Sequence, residues 1–390
     1  MKKYTIPLLL IISLFFLWGV AHSILDVLNK HFQDVLVISK ARSGLVQAVV
    51  YGGYFLMALP AGMFINRFGY QKGIVLGLLL YAFGALLFIP ADSMMVFWFF
   101  LLALFIIGSG LTFLETAANP YVTELGDKET AASRLNLAQS FNGLGWIIGP
   151  MIGGLLVFNA DGSSGSAALP YAIIGLVVLF VAGVFVKVKL PVIVENYTDL
   201  DGLRGSSLWQ SKRFVFGVVA LFFYVAAQTG INSFFINYIT ESDSSWTSRD
   251  ASLLLSFGGM GLFMLGRFLG SAIMRKISPV TILLISVSSA IISVILVITG
   301  IQGISNIALV ITYLFESIMF PTIFALSIQG LGSQTKKASS YLIMAIVGGA
   351  ISPPLMGYIG ESNMAIGFIV PLVCFIIILS YSIYLKRTSA

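Results

Sequence analysis

Charge is scarce in this chain. Asp, Glu, Lys and Arg together make up 10% of its residues, against 58% hydrophobic. An average soluble domain carries about 25% charged residues, so a soluble globular fold is excluded first. Cysteine is nearly missing: Cys374 stands alone, which rules out an internal disulfide. Histidine is limited to two, and no His, Cys and carboxylate spacing offers a ligand set for a metal. With no metal, no cofactor motif and no nucleophile–base constellation, the chain does not read as an enzyme. It also lacks the alternating ten-residue segments of a β-barrel.

What is present is long apolar sequence. About 20 apolar residues cross roughly 30 Å of hydrocarbon as a helix, and only helices satisfy their own backbone hydrogen bonds at that period. Twelve such stretches are legible, near 5–28, 44–66, 73–90, 94–120, 135–158, 169–188, 213–239, 251–274, 280–300, 304–328, 338–359 and 364–385. The expectation is an all-α membrane protein of twelve transmembrane helices. Met1-Lys2-Lys3 before the first run mimics a signal peptide. That run is longer than a typical signal h-region and lacks a small-x-small cleavage pattern, so it reads as a retained helix.

Lys and Arg set the orientation. With both termini cytoplasmic, seventeen of the 22 basic residues fall on the inner side. Lys30, Lys40, Arg42 and Arg249 fall outside, and Arg267 lies within the eighth helix. That bias fits the positive-inside rule and an inner cell membrane. The net charge of +6 is accounted for by inner-face loops, so no nucleic-acid partner is expected.

The longest polar stretch, 190–212, divides the chain into two groups of six helices: 1–189, a cytoplasmic linker at 190–212, and 213–390. The halves echo each other. Leu114-Glu115-Thr116-Ala117-Ala118-Asn119-Pro120 aligns with Phe315-Glu316-Ser317-Ile318-Met319-Phe320-Pro321 at an offset of 201 residues. Each is followed by a polar loop and a helix containing Gly and Pro. Two six-helix repeats about the membrane normal, with a binding site at the midplane, resemble the major facilitator superfamily. The segment from Gly62 to Lys72 resembles that superfamily's loop between helices two and three, with Asn66 where Asp is usual. The resemblance implies an inner-face latch, in which Arg67 and Lys72 meet acidic groups or helix C-termini. Ordinary inner-face charge is the plainer alternative.

Two carboxylates stand inside apolar runs, Asp26 in the first and Glu115 in the fourth. A charge at the bilayer centre costs about 2.5–3.5 kcal/mol on insertion scales. The first six helices offer no intramembrane Lys or Arg to pair with them. Phe15, Trp18, His22, Asp26 and Asn29 recur at steps of three and four and share a helix face, and His22 stands one turn from Asp26, within reach of a hydrogen bond. Thr112, Glu115 and Asn119 share a face of the fourth helix, Gln139, Asn142 and Trp146 of the fifth, and Tyr224, Gln228, Asn232 and Phe235 of the seventh. Glu316 is a possible second buried acid, held by Tyr313. Amides in membrane helices also serve to bind neighbouring helices. Yet donors, acceptors and flat rings together are what a hydroxyl-rich sugar requires.

At these residues the chain resembles the fucose–galactose–glucose:proton symporters, nearest to the fucose permease branch. The likeness rests on Phe15-Phe16-Leu17-Trp18-Gly19 with Asp26, on Leu114 to Thr123, on Arg134 to Asn142, on Tyr224 to Thr229 and on Pro321 to Phe324. It implies a proton-coupled importer of a monosaccharide. By resemblance Asp26 and Glu115 are the proton-coupling acids. His22, Glu115, Asn119, Gln139, Asn142, Trp18, Trp146, Gln228, Asn232 and Phe320 are the candidate sugar contacts. Ser23 and Leu25 depart from a more Asn-rich pattern, Asn232 stands for an expected Trp and Phe320 for an expected Tyr, which leaves the sugar open. Sodium coupling is a variant that the acids would also allow. Gly145-Trp146-Ile147-Ile148-Gly149-Pro150-Met151-Ile152-Gly153-Gly154 fits a pattern associated with proton-driven drug antiporters, a rival reading. The superfamily architecture implies a monomer.

Overall fold

The computed structural model describes residues 2–124, 131–159, 163–188, 190–191, 208–274, 276–301, 303–329, 331 and 335–388. Among them it is helical, and eleven helices or helix pairs are long and apolar enough to cross a membrane. The fifth expected span coincides with a further helix, Ala131–Leu156. Large apolar side chains remain exposed on the described helices, including Phe180, Met63, Leu59 and Trp98. Apolar surface of that extent belongs against lipid rather than water. Most of the linker expected at 190–212 lies outside the described residues.

The chain forms two compact units. The first takes residues Met1–Ile38, Leu45–Glu195 and Thr247–Ser256. Its helices are α1 (Lys2–Leu36), α3 (Leu45–Phe68), α4 (Tyr70–Leu86), α5 (Phe88–Met94), α6 (Phe97–Glu124), α7 (Ala131–Leu156), α8 (Ala168–Lys187) and the short α10 (Ser248–Leu253). α1 packs along α7, α4 along both α6 and α8, and α3 along α6. Gly69, at φ +88°, gives the turn between α3 and α4 a left-handed backbone that a side chain would strain. Phe88 and Tyr171 stack at 3.7 Å between ring centroids and tie α5 to α8.

The second unit takes Ser39–Gly44, Asn196–Trp246 and Phe257–Ala390. Its helices are the short α2 (Lys40–Ser43), then α9 (Lys212–Ser242), α11 (Gly261–Ile273), α12 (Pro279–Thr299), α13 (Ile304–Glu316), α14 (Met319–Ile328), α15 (Thr335–Met344), α16 (Gly348–Ile359), α17 (Met364–Gly367) and α18 (Ile369–Thr388). α9 is the hub, packed by α14, α16 and α18. Its start is capped by Ser211, whose hydroxyl accepts from the Phe214 N–H, as an N-cap should. α12 starts at Ser278 in the same way, with Pro279 in the first turn. α2 is held inside this unit: Lys40 Nζ lies 2.8 Å from Glu241 and donates to the Gly360 and Glu361 carbonyls.

Five expected spans are not single α-helices: the third divides between α4 and α5, the eleventh passes through a 3-10 turn at 345–347 between α15 and α16, and the twelfth divides between α17 and α18. The eighth continues from α10 through a π-helical stretch, 254–260, into α11. The tenth breaks at Ser317 and Ile318, between α13 and α14. Here the two repeats diverge, because the matching segment of α6 runs unbroken to Glu124.

Candidate functional site

The site of the first unit begins with glycine. Along α7, Gly145, Gly149 and Gly153 face α1, and Gly19 of α1 faces back. A methyl on Gly19 would overlap the Asn142 carbonyl, and one on Gly145 the Phe16 carbonyl. On Gly149 it would strike the Ser23 hydroxyl, and on Gly153 it would come within 2.6 Å of Val27. Small residues at four-residue spacing let membrane helices approach closely. The stripe that fits the antiporter pattern thus has a packing role here. Ser23 is absorbed in the same contact, donating to the Gly19 and Gly145 carbonyls at 2.9 and 3.1 Å. Leu25 is 1% exposed. Both departures from the Asn-rich pattern therefore sit in helix packing.

That close approach sets Asn142 and Trp146 opposite Phe15, Trp18 and His22. Asn142 Nδ2 donates to the Phe15 carbonyl at 3.1 Å. The His22 ring stacks on Trp146, with centroids 6.0 Å apart and planes 19° from parallel. Trp18 meets His22 edge-on at 6.1 Å, and Phe15 lies 5.8 Å from Trp18. From α3, Tyr51 and Tyr54 approach His22 at 5.8 and 5.4 Å. His22 is thus the centre of a wall of rings.

The polar groups lie among these rings. His22 Nε2 and the Tyr54 hydroxyl share a hydrogen bond of 3.0 Å, and Tyr54 also interacts with the Glu115 carboxyl of α6. Glu115 is half-buried, while Asp26 is 2% exposed. Asp26 Oδ1 accepts from Gln47 Nε2 at 2.9 Å, and its Oδ2 has no partner among the described residues. The spacing allowed His22 to bond Asp26; the structure gives His22 to Tyr54 and Asp26 to Gln47. Thr112 donates to its own helix, to the Gly108 carbonyl. Asn119, half-buried, leaves its Oδ1 unpartnered among the described residues, and Gln139 is half-buried on α7.

Three residues of this site were not singled out from sequence: Gln47, Tyr51 and Tyr54. Their spacing of four and three puts them on one face of α3, the same signal that marked Trp18, His22 and Asp26 on α1.

The other candidates lie in the second unit. Gln228 is half-buried and Asn232 buried on α9, with Asn232 Oδ1 unpartnered among the described residues. Phe320 lies 6.1 Å from Tyr224 and stacks on Phe324 at 6.3 Å. Glu316 is fully buried. In the loop resembling the superfamily motif, Arg67 and Lys72 both sit over the Phe68 ring, at 5.3 and 5.8 Å. Gln71 bonds the Phe185 and Val188 carbonyls. Asn66 lies beside them in the last turn of α3.

A wall of rings with an acid, amides and a histidine at its edge can hold a hydroxylated ring by its apolar face and its hydroxyls together. The acid can also exchange a proton. Comparison with known proteins points the same way. The model of the Major Facilitator Superfamily matches residues 8–353. A glucose/galactose transporter of Brucella abortus biovar 1 (strain 9-941) is 37% identical, over 98% of this chain and 94% of its own length. The L-fucose-proton symporter of Escherichia coli (strain K12) is 36% identical, over 100% and 95%. Among solved structures, the major facilitator transporter FucP in the outward conformation matches with a TM-score of 0.70 and 35% identity, covering 98% of this chain and 99% of that one.

Proposed function

The chain belongs to the major facilitator superfamily, and from that premise we propose that it is a proton-coupled symporter importing a monosaccharide, L-fucose or a related hexose, by alternating access. It is an integral multi-pass membrane protein. We place it in the inner membrane with both termini cytoplasmic, acting as a monomer on its sugar and the proton.

The observation that carries the reading is the join between Glu115 and the ring wall, through Tyr54 and His22. An acid bound to the sugar-facing wall links protonation to substrate. A proton taken from outside neutralises the acid and removes the cost of holding a charge away from water. The wall can then close on the sugar, and water entering from the inside draws the proton off. Membrane voltage supplies roughly 2.3 kcal/mol per charge per 100 mV. At about 1.4 kcal/mol per tenfold, one proton then sustains about a 40-fold sugar gradient. Asp26 and Gln47 form a second polar pair on the same helices, and we assign Asp26 to coupling as well.

The test is uptake into proteoliposomes of labelled L-fucose, galactose, glucose and N-acetylglucosamine, under an imposed proton or sodium gradient. Accumulation of one sugar under the proton gradient alone supports the reading. Accumulation under sodium alone replaces the coupling ion, and accumulation of none under either gradient overturns sugar symport.

A further inference from the structure

Glu316 has no part in the site just described, and its surroundings are unusual. It is fully buried, and neither carboxyl oxygen has a hydrogen-bond partner among the described residues. It is the last residue of α13, directly before the break at Ser317 and Ile318. Sequence contributes to the break, and side chains from other helices complete it. Pro321 has no N–H to give to the carbonyl four residues back, which is that of Ser317. Arg267 Nε donates to that carbonyl at 3.4 Å, and its guanidinium lies over the Phe263 ring at 4.6 Å. The Glu316 carbonyl is taken by the Tyr224 hydroxyl at 3.0 Å. Side chains from α11 and α9 therefore hold the helix open at the acid. Discontinuous membrane helices are where transporters place coupling ions.

The charged and titratable groups around Glu316 are few. α11 brings Arg267, α9 brings Tyr224, and α13 itself carries Tyr313; the described residues of α12 and α14 contribute none. No ion pair joins Arg267 to Glu316 among the described residues. An ionised carboxylate without donors is poorly tolerated in such an interior, so this packing accommodates the neutral acid. Arg267 bonds the next residue along and is the available counter-charge once the proton leaves. Glu316 also occupies the position of Glu115 in the internal repeat, five residues before the proline in each half.

We propose that Glu316, with Arg267 as its counter-charge, is a second proton-carrying site beside the one proton that Glu115 and Asp26 handle together, so that each sugar crosses with two protons. The carboxylate oxygen forms an O–H bond with a proton from water on the outer side. That bond breaks to water on the inner side, where Glu316 pairs with Arg267. This rests on the sugar-symport reading and adds a second coupled ion to it.

The experiment measures proton and sugar fluxes together in proteoliposomes, with labelled L-fucose and labelled galactose as probes. The unmutated protein should carry two protons per sugar and reach about 100-fold accumulation for one pH unit, because each proton adds about a tenfold gradient. Glu316→Gln should carry one and reach about 10-fold. An unchanged ratio in Glu316→Gln, beside a proton-driven wild type, overturns this inference and leaves the symport reading intact. No accumulation by the wild type sinks the symport reading itself. If Glu316→Gln does not fold, Glu316→Asp is compared with wild type by infrared difference spectroscopy on acidification. A shifted protonated-carboxyl band is expected, and an unchanged spectrum overturns the assignment.

Discussion

Gly145→Ala tests whether the α1–α7 contact builds the site. The added methyl would meet the Phe16 carbonyl, the Val20 nitrogen at 2.7 Å and the Gly19 carbonyl carbon at 2.9 Å. All three are backbone atoms, so no side chain can rotate away, and the helices must separate by about 1 Å to restore ordinary contact. Overpacking of this kind costs about 1–3 kcal/mol. The Asn142–Phe15 hydrogen bond crosses the same contact at 3.1 Å, so that separation breaks it, at about 1 kcal/mol more. The sum of about 2–4 kcal/mol should appear as lower thermal stability in detergent. It should also weaken sugar binding at least tenfold, because the His22–Trp146 stack spans the same gap. Gly183→Ala is the control: nothing lies within 4 Å of a methyl there, and Ala in a helix is favoured over Gly by about 0.5–1 kcal/mol. Matched stability and matched sugar affinity in the two variants would refute the reasoning.

Two further outcomes follow from single contacts. Tyr54→Phe removes the hydroxyl shared by His22 and Glu115, leaving buried polar groups short of a partner at about 1–3 kcal/mol; uptake should drop about tenfold or more at unchanged protein level, and wild-type uptake would count against the site. Lys40→Ala with Glu361→Ala removes the side-chain ties that hold α2 in the second unit. The Lys40–Glu241 pair is partly exposed and is worth about 0–1 kcal/mol, so stability should hold while a cysteine placed at Ala41 labels several-fold faster with a membrane-impermeant maleimide; equal labelling would show that α2 is held by packing alone.

The helices were legible because apolar length is the one requirement a bilayer imposes on a span, and no tertiary contact can override it. The face of α1 carrying Trp18, His22 and Asp26 was legible for a related reason: polar groups in a lipid-crossing helix point inward. What spacing could not give was partnership. His22 and Asp26 are one turn apart on α1, yet their partners come from α3, where Tyr54 and Gln47 look like ordinary packing residues in an apolar run. The break after Glu316 was half-legible. Pro321 marks it, but Pro120 stands at the matching position of an unbroken α6, so proline alone does not decide; Arg267 and Tyr224, which hold the freed carbonyls, come from elements distant in sequence.

The central claim is that Glu115 couples the proton to the sugar. The most direct measurement compares Glu115→Gln with wild type in proteoliposomes, in two modes: accumulation under an inward proton gradient, and counterflow exchange of the same labelled sugar without a gradient. Glutamine keeps the size and hydrogen-bonding capacity of a neutral acid but cannot release a proton. The account predicts that exchange survives and accumulation is lost. Accumulation at the wild-type level in Glu115→Gln would contradict it.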